Sequence, residues 1–135
     1  MTNNFCLTCL MITFLILGCH EHDSISALKG EWELRAELNK KTGVSTNYLP
    51  GNGTIIKFTG TDYEFYSHEK FIKCGKYSIQ PCAAHSVKGT AERIVYDGGS
   101  GSGPVNSFVK IDSTQIRAYP DSNTNFSVIY KKIKS

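Results

Sequence analysis

The nine residues Gly30-Glu31-Trp32-Glu33-Leu34-Arg35-Ala36-Glu37-Leu38 decide the fold. Apolar and charged side chains alternate without a break. In an extended strand, Trp32, Leu34, Ala36 and Leu38 share one face and Glu33, Arg35 and Glu37 share the other. A helix turns about 100° per residue, so it would put Trp32 and Leu34 on different sides and leave no apolar stripe. Period two is the consistent reading, and this stretch is a half-buried strand.

Downstream, the same signature recurs between turn signals. "TIIKF" carries Ile56 and Phe58 inward, and "YEFYSH" carries Tyr63 and Phe65. "EKFIKCGKYSI" places Tyr77 and Ile79 on its inner face. "SVKGTAERIVYD" is a long fifth run, closed by the flexible loop "GGSGSGP". "NSFVKID" turns Val109 and Ile111 inward, "QIRAY" turns Ile116 and Ala118, and "FSVIYKKI" turns Val128 and Tyr130. These are eight strands with short connections. Parallel pairing needs crossovers of a dozen or more residues, so the sheet is expected to be antiparallel. Eight such strands cover their edges by closing into an up-and-down barrel, just wide enough to fill with side chains or to hold one small ligand.

Upstream, Phe5 to Gly18 carries no charged side chain and ends in Phe14-Leu15-Ile16-Leu17-Gly18. It is shorter than the roughly 20 apolar residues of a membrane-spanning helix and reads as a signal peptide over residues 1–18. Ile16-Leu17-Gly18-Cys19 resembles the lipobox of bacterial lipoproteins. The resemblance implies cleavage before Cys19, a diacylglycerol on its sulfur and a palmitate-type acyl chain on the new N-terminus. Residues 19–27 then form a lipidated cysteine and polar tether, with residues 28–135 as the single domain. His20, Glu21, His22 and Asp23 sit on that tether. A thioether Cys19 is no thiolate ligand, and two His are too few for a closed zinc site, so no metal is expected. Acidic residues just after the lipid cysteine also resemble the export signal of some surface lipoproteins of the Bacteroidetes.

Removal of residues 1–18 leaves 117 of 135 residues, one domain with a modest core. Fifteen Lys and Arg against twelve Asp and Glu give a formal net charge of +3, too mild and scattered for nucleic acid. Of five cysteines, only Cys74 and Cys82 fall in the domain. An oxidising envelope invites a disulfide between them. An unbroken strand through "CGKYSIQPC" would hold their Cα atoms beyond the roughly 7 Å that a bridge tolerates. Strand and bridge therefore exclude each other unless the chain reverses near Ser78.

A family resemblance follows. "LKGEWEL" resembles the opening of lipocalin-like domains, in which a Gly-x-Trp begins the first strand and the Trp plugs one barrel end. Here Gly30 and Trp32 match that opening, and Gly75, Tyr77 and Ile79 match the central Gly-x-Tyr-x-Ile. "GNGTIIKFTGTDYEFY", "VKIDSTQIRAY" and "VIYKKI" are similar to lipocalin-like envelope proteins of Bacteroidetes, over roughly Leu28 to Ile133. The resemblance implies an envelope protein lipid-anchored to the outer membrane, on its periplasmic or surface face.

No catalytic motif or cofactor fingerprint stands out. The Gly-rich "DGGSGSGP" lacks the Lys-Ser/Thr of a phosphate loop, and His68 and His85 have no nucleophile motif nearby. The expected activity is binding rather than catalysis, without a cofactor. One hypothesis is a small apolar or amphipathic ligand held between Trp32, Leu34, Ile56, Phe58, Phe65 and Tyr77, its polar end oriented by Tyr63, Tyr77 or Tyr130. The other is a solidly packed barrel whose loops Thr42–Gly53 and Gly98–Pro104 contact an envelope protein partner or inhibit an enzyme.

Overall fold

A computed structural model describes residues 24–82, 92–98 and 102–135. The expectations for residues 1–23, including Cys19 and the His20/His22 pair, for His85 and the front of the fifth run, and for residues 99–101 of the Gly98–Pro104 loop lie outside the described residues. A one-turn helix, α1 (Ser24–Leu28), leads into nine strands: β1 (Gly30–Asn39), β2 (Ser45–Asn47), β3 (Ile55–Thr59), β4 (Asp62–Ser67), β5 (Lys70–Pro81), β6 (Glu92–Tyr96), β7 (Ser107–Ile111), β8 (Gln115–Pro120) and β9 (Phe126–Lys134).

Every pairing is antiparallel, and β1 pairs with both β3 and β9, so eight strands close an up-and-down barrel. Closure removes the two free edges that an open sheet would expose. β2 is the ninth strand. It continues along the side of β1 that β3 leaves, with Ala36 opposite Asn47 and Leu38 opposite Ser45. Its Ser-Thr-Asn sequence is exposed and carries no apolar pattern to announce it.

β5 shows the stagger that closure requires. Its first half pairs with β4, Lys70 opposite Ser67 through Lys76 opposite Asp62. Its second half pairs with β6, Tyr77 opposite Tyr96 through Pro81 opposite Glu92. Cys74 lies within this unbroken strand, Cys82 follows its end, and both thiols are free. The extended course of β5 is the physical reason the candidate disulfide does not form.

One end of the barrel is closed. Trp32 is fully buried, and its indole Nε1 donates to the Leu28 carbonyl at 2.6 Å. Leu28, also fully buried, holds α1 across the opening, and the Lys132 ammonium sits 5.0 Å from the indole centroid. Ser24, assigned by the sequence reading to the tether, is buried here and its hydroxyl bonds Glu92. Above this plug Phe58 meets Tyr77 edge-on at 4.9 Å, and Tyr63 meets Tyr96 in the same way at 4.9 Å. Gly75 sits where a Cβ would strike the Asp97 carboxylate and the Tyr63 ring. That close approach accounts for glycine in the central Gly-x-Tyr-x-Ile.

Candidate functional site: a cavity at the open end

The site depends on one irregularity in β1. Its register against β9 runs Leu34 opposite Tyr130, then Ala36 opposite Ile129 and Glu37 opposite Val128. Arg35 is therefore an extra residue, a β-bulge. A bulge shifts the period-two alternation by one, and every side chain beyond it changes face. Trp32 and Leu34 point inward as their spacing predicts, but Glu37 rather than Ala36 is the next inward side chain. The expected outward position of Glu37 is thus corrected.

On the outer face, the residues before and at the bulge hold the loop ahead of β3. Glu33 is only 3% exposed although it points away from the core. Its carboxylate accepts from the backbone of Gly51 at 2.9 Å and pairs with Arg35 at 2.8 Å. The Asn52 amide donates to the Leu34 carbonyl at 2.8 Å. These bonds press the β2–β3 connection against β1.

Inside the open half lies a cavity of about 250 Å³. Its walls are Leu34 and Glu37 from β1, Ile56 from β3, Phe65 from β4, Tyr96 from β6, Ala118 from β8, and Val128 and Tyr130 from β9. Gly103, Pro104 and Val105, from the connection between β6 and β7, overhang the mouth. Ligand sites are mostly apolar with a few placed polar groups, and this lining has that character at the small end of the usual size range.

Of the eight interior candidates named from sequence, Leu34, Ile56, Phe65 and Tyr130 line this cavity. Trp32, Phe58, Tyr63 and Tyr77 pack below it. The polar handles separate in the same way. The Tyr63 hydroxyl donates to the Asp97 carbonyl at 2.8 Å and the Tyr77 hydroxyl to the Gly60 carbonyl at 2.5 Å. Among the described residues no partner takes the hydroxyl of Tyr130, or that of Tyr96, whose one side-chain contact of this kind is made through its backbone amide to Asn106.

The electrostatics follow from this placement. Burial holds the Tyr130 phenol well above its ordinary pKa, and the Glu37 carboxylate adds to the shift. Tyr96 is pushed up by burial and then by its tyrosine neighbours, led by Tyr130. Tyr48, just past β2, is raised by burial and then by Glu37. Tyr130, on the cavity wall, thus senses the Glu37 charge, as an inward carboxylate requires. Among the described residues no group of three or more His, Cys, Asp or Glu converges.

Comparison with family models, curated proteins and solved structures finds no match for this chain. The barrel and its cavity are therefore the ground for function. Sequence reasoning missed Glu37 and Tyr96. Only the bulge brings Glu37 inside, and Tyr96 belongs to the fifth run, whose inner face the alternation left unassigned.

Proposed function

We propose that this protein is a lipid-anchored lipoprotein of the cell envelope whose lipocalin-like barrel binds a small amphipathic molecule in the open-end cavity, without catalysis. The observation that carries the reading is the division of the interior. One half is filled and hydrogen-bonded; the other holds a cavity of about 250 Å³ with mostly apolar walls and tyrosine hydroxyls that have no partner among the described residues. A barrel needing only stability would fill that space, since unfilled volume costs packing energy. The Ile16-Leu17-Gly18-Cys19 lipobox resemblance supports the anchor. α1 begins five residues after Cys19 and lies at the closed end. An anchor there leaves the mouth facing away from the membrane.

Native mass spectrometry of the full chain extracted from envelopes tests both parts. The expected species begins at Cys19, carries acyl chains and releases a small molecule on denaturation. A chain that keeps residues 1–18 overturns the anchor. An empty barrel that also takes up no apolar probe overturns the binding.

A second reading rests on a separate observation. Val44, Leu49, Phe71, Ile72 and Val105 are exposed apolar residues in the connections and strand ends on the open side, Leu49 at 82%. Such residues around one opening suit contact with a protein partner. Replacing Val44 and Leu49, neither of which lines the cavity, with Ser and testing pull-down from the native envelope separates this reading from ligand binding, which those changes leave intact.

A further inference from the structure

The cavity wall has a charge character that an apolar pocket does not need. Among its lining residues Glu37 is the one charged side chain, with no Lys, Arg or His. The ion pairs of the described residues are Arg35 with Glu33, Lys76 with Asp62, Arg93 with Asp121 and Lys134 with Glu31, so Glu37 has no cationic partner among them. Arg35, the nearest arginine in sequence, is turned to the outer face and held there by Glu33. Lys73 shares the inner face of β5, opposite Phe65, but its side chain packs against Gly103 at the rim and does not line the cavity. A carboxylate facing a partly dehydrated space without a counter-charge is costly, and it is retained where something else supplies the charge.

The surrounding groups favour the same sign. Tyr96, Tyr130, Phe65 and Phe126 present aromatic surface to the cavity, and ring faces attract cations. Tyrosine hydroxyls with open lone pairs accept hydrogen bonds from an ammonium. The same hydroxyls can donate to an anion, so the sign is set by Glu37, whose charge an organic anion would face with no lining cation to offset it.

We infer that the ligand is a small organic cation, an amphipathic amine whose ammonium pairs with Glu37 beside Tyr130 while its apolar part lies against Leu34, Ile56 and Phe65. The inference rests on the binding function proposed above and adds its ligand class. The size of the cavity, room for about eight waters by liquid volume, selects a single ring or a short chain over a long acyl chain.

The test uses two ligand sets of matched skeleton, titrated calorimetrically into the purified full-length chain. One is phenethylamine, phenethyl alcohol and phenylacetate; the other is hexylamine, hexanol and hexanoate. In at least one set the amine should bind roughly tenfold or more tighter than the alcohol, the strength of a charge-assisted bond, with the carboxylate weakest. Glu37→Gln, which preserves shape, should erase the advantage of the amine and leave alcohol binding within about twofold. Glu64→Gln, on the outer face of β4, should change nothing. An alcohol or carboxylate that binds as tightly as its amine, or an amine indifferent to Glu37→Gln, overturns the cation assignment while ligand binding stands. Failure of all six compounds overturns both.

Discussion

The closed and open halves of this barrel are built from the same eight strands, yet their interiors obey different rules. In the closed half every polar atom that enters the core is answered locally: the Trp32 indole by Leu28, the Tyr63 hydroxyl by Asp97 and the Tyr77 hydroxyl by Gly60. In the open half the Tyr96 and Tyr130 hydroxyls have no partner among the described residues, and the Glu37 carboxylate, which the Tyr48 hydroxyl reaches, has no cation beside it. The open end also holds backbone strain. His68 and Glu69, which join β4 to β5, take φ of 50° and 66°, a region non-glycine residues seldom occupy. Unpartnered hydroxyls, a carboxylate without a cation and local strain persist where surrounding structure sustains them, and such features collect at sites of function. The closed half stabilises the fold that the open half uses.

The largest effect should come from removing the plug. Trp32→Ala empties a fully buried position and is expected to cost about 3–5 kcal/mol. Trp32 is the one tryptophan in the chain, so urea unfolding is best followed by far-ultraviolet circular dichroism. Phe65→Ala, at the cavity wall, should cost clearly less, because it enlarges a space that already exists. Equal losses would mean that the two halves are packed alike, and the comparison would fail.

Glycine at each end sharpens the contrast. Gly30 has φ 128°, and a Cβ there would collide with the Lys134 carbonyl, part of the closing β1–β9 seam. Gly30→Ala should lose about 1–3 kcal/mol through strain that no side-chain movement relieves. Gly103 has a similar φ of 132°, but its added methyl would meet chiefly the flexible end of Lys73. Gly103→Ala should lose less in the same denaturation experiment. A larger loss at Gly103 would place rigidity at the mouth rather than at the seam.

Much of this was legible in the sequence, and the exceptions share a cause. Ile56, Phe58, Tyr63 and Phe65 alternate and sit inside because β3 and β4 pair without irregularity until Phe65. β1 alternates just as well on paper, yet its second half is inverted. A bulge at Arg35 inserts one residue, and Arg-Ala-Glu-Leu has no glycine or proline to mark it. Alternation reports which residues share a face only while the pairing advances one for one. The cavity carboxylate was hidden by the feature that positions it. β2 was missed for another reason, since three exposed polar residues extend β1 with no core to fill. α1 escaped notice because a single turn has too few residues for a helical period.

Relieving strain at the open end should raise stability. Glu69→Gly places the residue suited to positive φ at the second turn position and should gain about 1 kcal/mol, seen as a higher thermal midpoint. The backbone bond from the Glu69 amide to the Gly53 carbonyl at 3.0 Å needs no side chain and is kept. A neutral or negative result would show that the turn is constrained by its partners and carries little strain of its own.

The smallest effect gives the finest measure of the two halves, and it uses the tyrosines as reporters. Burial and then Glu37 hold the Tyr48 phenol above its ordinary pKa, whereas the shift at Tyr63 comes from burial and Asp97, and that at Tyr77 from burial and Asp62. A phenol whose folded pKa exceeds its unfolded value of about 10 adds stability that is present below that pH and is lost as pH rises through the folded pKa. Glu37→Gln removes a negative charge from beside Tyr48, so its phenolate should form at a pH lower by a few tenths of a unit to one unit. Tyr63 and Tyr77, behind the packed aromatic layer, should titrate unchanged. Ring-labelled tyrosine NMR across the alkaline range resolves the three separately. A uniform shift would mean that Glu37 acts through the whole fold, and no shift at Tyr48 would mean that the carboxylate does not lie beside that phenol.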